Sequence, residues 1–344
     1  MENHAWPIDR NMNSTPASCI YINRPYQAAC DSNFGISRQR REYPSPLVFK
    51  KVTPETMHII IPYLELEHGR TTDFTYGGLL MWVDYFQYEY CIYADTLFIK
   101  GVVEDNTAIP AFSLQLGALP LSESVGLIDQ WCRHHNIATT FSAIPEHAVA
   151  DMLALEPKSV KELTDWGDYL YDIQSLSTLA GKKLAKKRNH LHRFAEECPG
   201  SSVELITAAN VKDAESFMNI YDAEGDGAAM EITESRLTRA MLRLYHTGSQ
   251  LMQGMLMRDA SGKTIAFTLG DVKGDTLYVH IEKADRNVPG CYEAVNQAFV
   301  KLMLNRYPAL RYVNREDDGG DPGLRQAKQS YRPIEILPKY NIIF

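Results

Sequence analysis

Apolar positions from about residue 47 onward recur with two periods that take turns along the chain. The stretch "TPETMHIIIPYLELE" (53–67) has helical spacing, with Thr53 as the expected cap and Pro54 at the first position. "QYEYCIYADTLFIKGVVEDNTAIPAFSLQLG" (87–117) predicts three strands joined by turns. "SESVGLIDQWCRHHN" (122–136) predicts a helix capped by Ser122, with Val125, Ile128 and Cys132 on its apolar face. "IATTFSA" (137–143) predicts one more strand.

The same plan returns later. Residues 250–284 predict three strands with hairpin turns at "DASGK" and "DVKGD". "GCYEAVNQAFVKLMLNRY" (290–307) predicts a helix with Tyr292, Val295, Phe299, Leu302 and Met303 as its stripe, and "LRYVNRE" (310–316) a strand. A strand-like "WGDYLYDIQ", a basic helix and helices near 211–224 and 234–246 lie between. Three antiparallel strands, a helix and a strand thus occur twice, which predicts an α+β fold built as a repeat. Residues 1–44 are rich in Asn, Ser, Pro and Arg, keep no period, and are expected to form a mobile extension.

Composition narrows the chemistry. With 344 residues, 45% hydrophobic and 23% charged, the chain has the makings of a globular protein with a substantial core. Its net charge of −8 argues against a general DNA- or RNA-coating protein, so any phosphate recognition must be local. The six cysteines (19, 30, 91, 132, 198, 291) form no C-x-x-C pair and no zinc spacing. A reducing cytoplasm is the expected compartment, with no signal peptide and no membrane span foreseen.

Several short patterns fail. "SGKT" (261–264) lacks the upstream glycine of a phosphate loop and reads as a hairpin turn. "DAEGDGAAMEITE" (222–234) has Thr233 where a calcium loop needs its bidentate glutamate. "HIE" (280–282) lacks the cysteine pair of a zinc deaminase. His134-His135 reads as a helix-end dipole contact rather than a ligand pair. No metal is expected.

Four constellations remain. In "GKKLAKKRNHLHRF" (181–194), Leu184 and Leu191 share a face with Arg188, whose guanidinium must then find a carboxylate or a phosphate. A solvated helix with Arg188 bonded to an internal acid is the alternative. In "DTLYVHIEK", Tyr278, His280 and Glu282 fall two apart, on one strand face, as either acid/base groups or a structural polar face. In "EKADRNVPGCYEAV", a helix starts at about Gly290, where free amides favour an anion and glycine permits close approach. "NREDDGGDPGLRQAKQSYRP" (314–333) crowds acids, glycines, Arg325, Lys328 and Tyr331 into one loop.

Together, "LAGKKLAKKRNHLHRF", "YVHIEKADRNVPGCYEAVNQAF" and "YVNREDDGGDPGLRQAKQSYRP" resemble the catalytic C-terminal domain of phosphatidylglycerol lysyltransferases, in its soluble branch, over about residues 45–344. The resemblance implies two tandem acyl-CoA N-acyltransferase-like (GNAT) halves: 45–165, expected to be degenerate, and 166–344, carrying the site. The donor would lie where strands 275–283 and 311–315 splay, with its phosphates near Gly290. The lysyltransferases pass an aminoacyl group from a charged tRNA to a lipid hydroxyl, and relatives of the wider fold use acyl-CoA.

The expected function is therefore acyl or aminoacyl transfer from acyl-CoA or aminoacyl-tRNA to an amine or hydroxyl, with no tightly bound cofactor. Glu282 or Asp317 would take the proton, with His280 and Tyr278 as second candidates. Lys182, Lys183 and Arg188 would border the cleft, with Lys187 and Asn189 in the same motif. Asn314, Arg315, Arg325 and Lys328 would meet the donor, and Glu316, Asp318, Tyr292 and Tyr331 would complete the pocket. Arg188 and the turn after Asn314 are expected to converge there. The alternatives are a non-catalytic tRNA- or nucleotide-binding protein, or a peripheral lipid aminoacyltransferase.

Overall fold

The computed structural model describes residues 45–224, 229–246 and 251–344. The expected extension 1–44 and part of the calcium-like stretch lie outside them. The first sheet draws on Lys50–Lys51 (β1), Glu89–Tyr93 (β2), Thr96–Val103 (β3), Asn106–Phe112 (β4), Leu116–Gly117 (β5), Thr140–Pro145 (β6) and Ser159–Glu162 (β7). The second draws on Asp168–Asp172 (β8), Ser202–Leu205 (β9), Gln253–Arg258 (β10), Thr264–Lys273 (β11), Thr276–Ala284 (β12), Tyr312–Asn314 (β13) and Glu335–Leu337 (β14). The last strand, Lys339–Ile343 (β15), returns to the first sheet.

Helices Met57–Leu64 (α1), Tyr76–Met81 (α2), Leu121–His134 (α3) and Glu146–Leu153 (α4) belong to the first half of the chain. Ile173–Thr178 (α5), Ala185–Glu197 (α6), Val211–Ala223 (α7), Ala229–His246 (α8), Cys291–Arg306 (α9) and Pro322–Ser330 (α10) follow. Helix α3 buries the foreseen stripe of Val125, Ile128 and Cys132, but Ser122 lies inside it. Pro120 precedes the first turn instead, and its carbonyl accepts the Ser124 amide at 3.0 Å. Helix α1 stops at Leu64, short of the expected Glu67, and three-residue turn bonds replace the helical ladder beyond it.

The repeat is present. Strands β2, β3 and β4, helix α3 and β6 make one copy; β10, β11, β12, α9 and β13 make the other. The fold is α+β, with two GNAT-like halves whose sheets are mainly antiparallel. In each copy the last strand runs parallel to the third, and that contact is brief. Phe112 faces Phe141 in the first copy, and Thr276, Leu277 and Tyr278 face Tyr312, Val313 and Asn314 in the second. Beyond Tyr278 and Asn314 the two strands part.

Three cores hold the chain. One lies under α3 and α4 and another under α5, α6 and α9. The third joins the halves, packing Leu79, Leu80 and Ile99 against Phe217, Met241 and Ile281. Each such fully buried aliphatic or aromatic side chain contributes roughly 1.5–3 kcal/mol. Strand β15 lies between β6 and β7. The boundary at 165/166 therefore describes the chain only to residue 338.

Candidate functional site

Strand β12 changes face along its length. Leu277 and Val279 pack under α9, whereas Ile281 packs in the core between the halves. The pairing with β11 explains this: Gly270 faces Val279 and Leu269 faces Ile281, so His280 is an extra residue, a β-bulge. Gly270 permits it, because a methyl there would lie 2.2 Å from the Tyr278 carbonyl oxygen. Tyr278 and His280 thus face the first half, and Glu282 faces α9. The single shared face read from spacing is corrected.

On the side of the first half, His280 bridges two acids. Its Nδ1 lies 2.7 Å from Glu316 Oε1 and its Nε2 3.3 Å from Asp271 Oδ1, with the ring fully buried. Burial alone would lower its pKa, but Asp271 and Glu316 outweigh it and push it up to about 10, so the ring is an imidazolium. Gly77 lies against that ring. A methyl there would meet Nε2 at 2.3 Å, while the Gly77 amide donates to Asp271 Oδ2 at 2.6 Å.

Next to it, Asp168 Oδ2 accepts from the Thr72 amide at 2.6 Å and from Asn314 Nδ2 at 2.8 Å. Lys339, 1% exposed, lies 3.0 Å from Asp168 Oδ1 and 2.9 Å from Asp73 Oδ2. Burial drives the Glu104 carboxyl well above the usual range, and nearby Asp73 adds to it. Burial also pushes Asp317 up to about 7, against the opposing pull of Lys339 and Lys328. Among the described residues, Asp73, Glu104, Asp168, Asp271, Glu316 and Asp317 face the cations Lys339, His280, Lys328 and Lys273. Trp82, Tyr85, Phe86, Tyr88 and Trp166 wall a pocket whose charged lining is Asp73, Glu104, Glu316, Asp317 and Lys339. The free space is about 30 Å³, close to the share of one water molecule, and suits a group of ammonium size.

On the opposite side, Glu282 accepts from Arg315 Nη2 at 3.1 Å and from Asn296 Nδ2 at 2.8 Å. Lys187 Nζ reaches Glu293 Oε1 at 3.1 Å and lies 4.0 Å from the Tyr331 ring centroid; Arg315 lies 4.8 Å from the same ring. Burial outweighs Glu293 and lowers the Lys187 pKa. Tyr292 points elsewhere, its hydroxyl 3.0 Å from that of Tyr221.

The remaining expectations divide. Arg188 donates through Nη1 to the carbonyls of Leu179 and Gly181 at 2.5 and 2.6 Å. Those carbonyls belong to a turn held at positive φ (51° and 88°), so the guanidinium staples the entry to α6. Lys187 is a basic-helix residue that reaches the side of the splay, through Glu293 and the Tyr331 ring. Lys182, Lys183 and Asn189 are exposed.

Gly290 has φ +75°, and a methyl there would lie 2.1 Å from the His190 carbonyl oxygen. Its open side is filled by α6, not left for a phosphate. Asp318 turns away from the pocket and pairs with Arg325 and the Tyr169 hydroxyl. Lys328 donates to the Asp317 carbonyl.

A family model described as "Phosphatidylglycerol lysyltransferase, C-terminal" matches residues 66–343. The chain belongs to the phosphatidylglycerol lysyltransferase C-terminal family. A conserved protein of unknown function from Bacteroides thetaiotaomicron VPI-5482 superposes with a TM-score of 0.74 at 27% identity, covering 87% of this chain and 99% of that one. L-PGS from Bacillus licheniformis shares the fold, with a TM-score of 0.58 at 13% identity over 86% and 92% of the two chains. The curated relative MYCGA3080 of Mycoplasmoides gallisepticum is 25% identical over 174 residues, and the match spans 50% of this chain and 54% of that protein.

For this member of the lysyltransferase C-terminal family, nothing in the sequence marked Asp73, Glu104, Asp168, Asp271 or Lys339. The aromatic wall was also missed; its signal is the density of "WVDYFQYEY" (82–90). Among the described residues no helix is long and apolar enough to cross a membrane.

Proposed function

We propose that this chain transfers an aminoacyl group, with the reaction at the acidic pocket beside the β12–β13 splay. The observation that carries this reading is the excess of buried carboxylates behind aromatic walls. A buried charge must be paired, and carboxylates with aromatic faces match an ammonium. An aminoacyl ester carries that ammonium; a simple acyl-CoA does not. The exposed Lys182, Lys183 and Lys186 would then lie along the RNA backbone.

In the step itself, the acceptor amine or hydroxyl attacks the ester carbonyl carbon. The new C–N or C–O bond forms, the bond to the tRNA 3′ oxygen breaks, and the acceptor's proton ends on that oxygen. Asp317, pushed up to about 7, is the group suited to relay it. His280, its pKa pushed up to about 10 between Asp271 and Glu316, is suited to position Glu316 rather than to act as base. Glu282, bound by Arg315 and Asn296 on the opposite face, positions the splay.

The test is single-turnover transfer from a mixed aminoacyl-tRNA pool to a panel of amines and alcohols, with Asp317→Asn as the control. Transfer by the wild type and its loss in the variant are expected. Undiminished transfer by the variant would remove Asp317, and binding of the pool without any turnover would leave a non-catalytic RNA-binding protein.

A further inference from the structure

A second cavity, of about 510 Å³, opens on the first half of the molecule. That is within the roughly 300–1,000 Å³ typical of small-molecule sites. Residues 82–88 separate it from the acidic pocket. Trp82, Tyr85 and Phe86 line the pocket, Val83, Asp84 and Gln87 line the cavity, and Tyr88 lines both. The charges felt by the Tyr88 hydroxyl are those of Glu104, Asp73 and Lys339, which places its polar end on the pocket side. Its ring lies on Gly101, where a methyl would come within 2.8 Å of Cδ1 and 2.9 Å of Cε1. Any larger residue at 101 would drive the ring off that seat.

The cavity has a flat aromatic floor and a rim of balanced charge. Trp131 stacks with His135 at 3.7 Å, with 19° between the rings, and Lys100 lies 5.2 Å from the Trp131 centroid. Lys100 pairs with Glu89, and Lys51 with Asp84 at 2.9 Å. Two cations facing two anions do not select a polyanion. They match a ligand that carries both signs, with an aromatic or aliphatic group to pack against the stacked Trp131–His135 pair.

We infer that this cavity seats the acceptor, a zwitterionic molecule of amino-acid or short-peptide type, and that Tyr88 is the wall its nucleophile must pass to reach the acids. The assignment of the acceptor role rests on the transfer reading above; the binding site itself does not. The acceptor's carboxylate would exchange into the Lys51 and Lys100 pairs. Its ammonium would face Asp84 and Glu89 and give one proton to solvent before attack; the second is the one that ends on the tRNA 3′ oxygen.

Isothermal titration with the dipeptide Ala-Phe, without any donor, tests the site separately from catalysis. Saturable binding is expected, and the doubly capped N-acetyl-Ala-Phe amide should bind at least about tenfold more weakly. Trp131→Ala should abolish binding. Lys51→Glu, on the exposed rim, should weaken it several-fold without touching the core. Gly101→Ala should also shift the affinity, because it displaces the Tyr88 ring. No saturable binding, or equal affinity for the capped peptide, overturns the inference. Unchanged affinity in Gly101→Ala removes Tyr88 from the site.

Discussion

His280 and Glu316 meet at 2.7 Å across the gap where β12 and β13 part, one supplied by a bulge and the other by the turn after the short strand. Glu316 has φ +57°, a conformation a side-chain-bearing residue seldom adopts. The ion pair joins two strands whose ladder has ended, and it also holds that strained residue in place.

Removing the imidazolium should therefore be costly. His280→Ala leaves Asp271 and Glu316 as uncompensated buried acids, a loss on the order of 3–5 kcal/mol. The wild type should also show a distinctive pH dependence. Its folded pKa of about 10 lies above the unfolded value of about 6.5, so the stabilisation is complete below about 6.5 and is lost as pH rises through 10. Melting curves between pH 6 and 10 should slope downward for the wild type and flatten in His280→Gln. Parallel slopes would contradict the pairing.

Asp317 should also make the fold less stable as pH rises, but in a lower window. Its folded pKa of about 7 lies above the unfolded value of about 3.9, so ionisation destabilises the fold increasingly as pH rises between those values. Asp317→Asn should raise the melting temperature at pH 8 while removing transfer. In the wild type the transfer rate should climb through pH 7 as the carboxylate forms. A melting temperature at pH 8 below that of the wild type would count against the shifted pKa.

Gly290→Ala should detach α6 from α9. The new methyl meets the His190 carbonyl at 2.1 Å and must adopt φ +75°, a conformation that alone costs about 1–3 kcal/mol. Limited proteolysis would reveal faster cleavage within 181–198. Unaltered cleavage would mean that the helices repack at no cost.

The exposed lysines of α6 and the turn before it make a separate case. Replacing Lys182, Lys183 and Lys186 together with Ala should leave the melting temperature unchanged and weaken tRNA binding. If each meets one phosphate, the slope of log K against log salt should become shallower by about 0.7–0.9 for each lysine removed. A slope equal to that of the wild type would free this face from the RNA. Arg188→Met should do the reverse, fraying the helix entry through the lost carbonyl bonds.

The repeated strand–helix plan was legible because period alone distinguishes the elements, and the acidic turn was legible because its composition is unusual. The opposed orientation of Glu282 was not, since a bulge is a property of two strands. Its one local sign is Gly270 inside an otherwise apolar strand. The partners of Arg188 were not legible, because the carbonyls it bonds are left open by a left-handed turn that no local charge pattern marks. Nothing near Lys339 in the sequence indicates its partners. Asp73 and Asp168 lie far away along the chain, and only sheet topology brings the three together.

That topology has a consequence for biogenesis. The first sheet lacks an interior member until residues 339–343 have emerged from the ribosome, so β7 has no neighbour to pair with during most of synthesis. The same late segment delivers the ammonium of Lys339 to acids that have been waiting unpaired. The pocket is thus completed only after residue 339 has been made, and a nascent chain stalled short of that point leaves β6 and β7 unjoined.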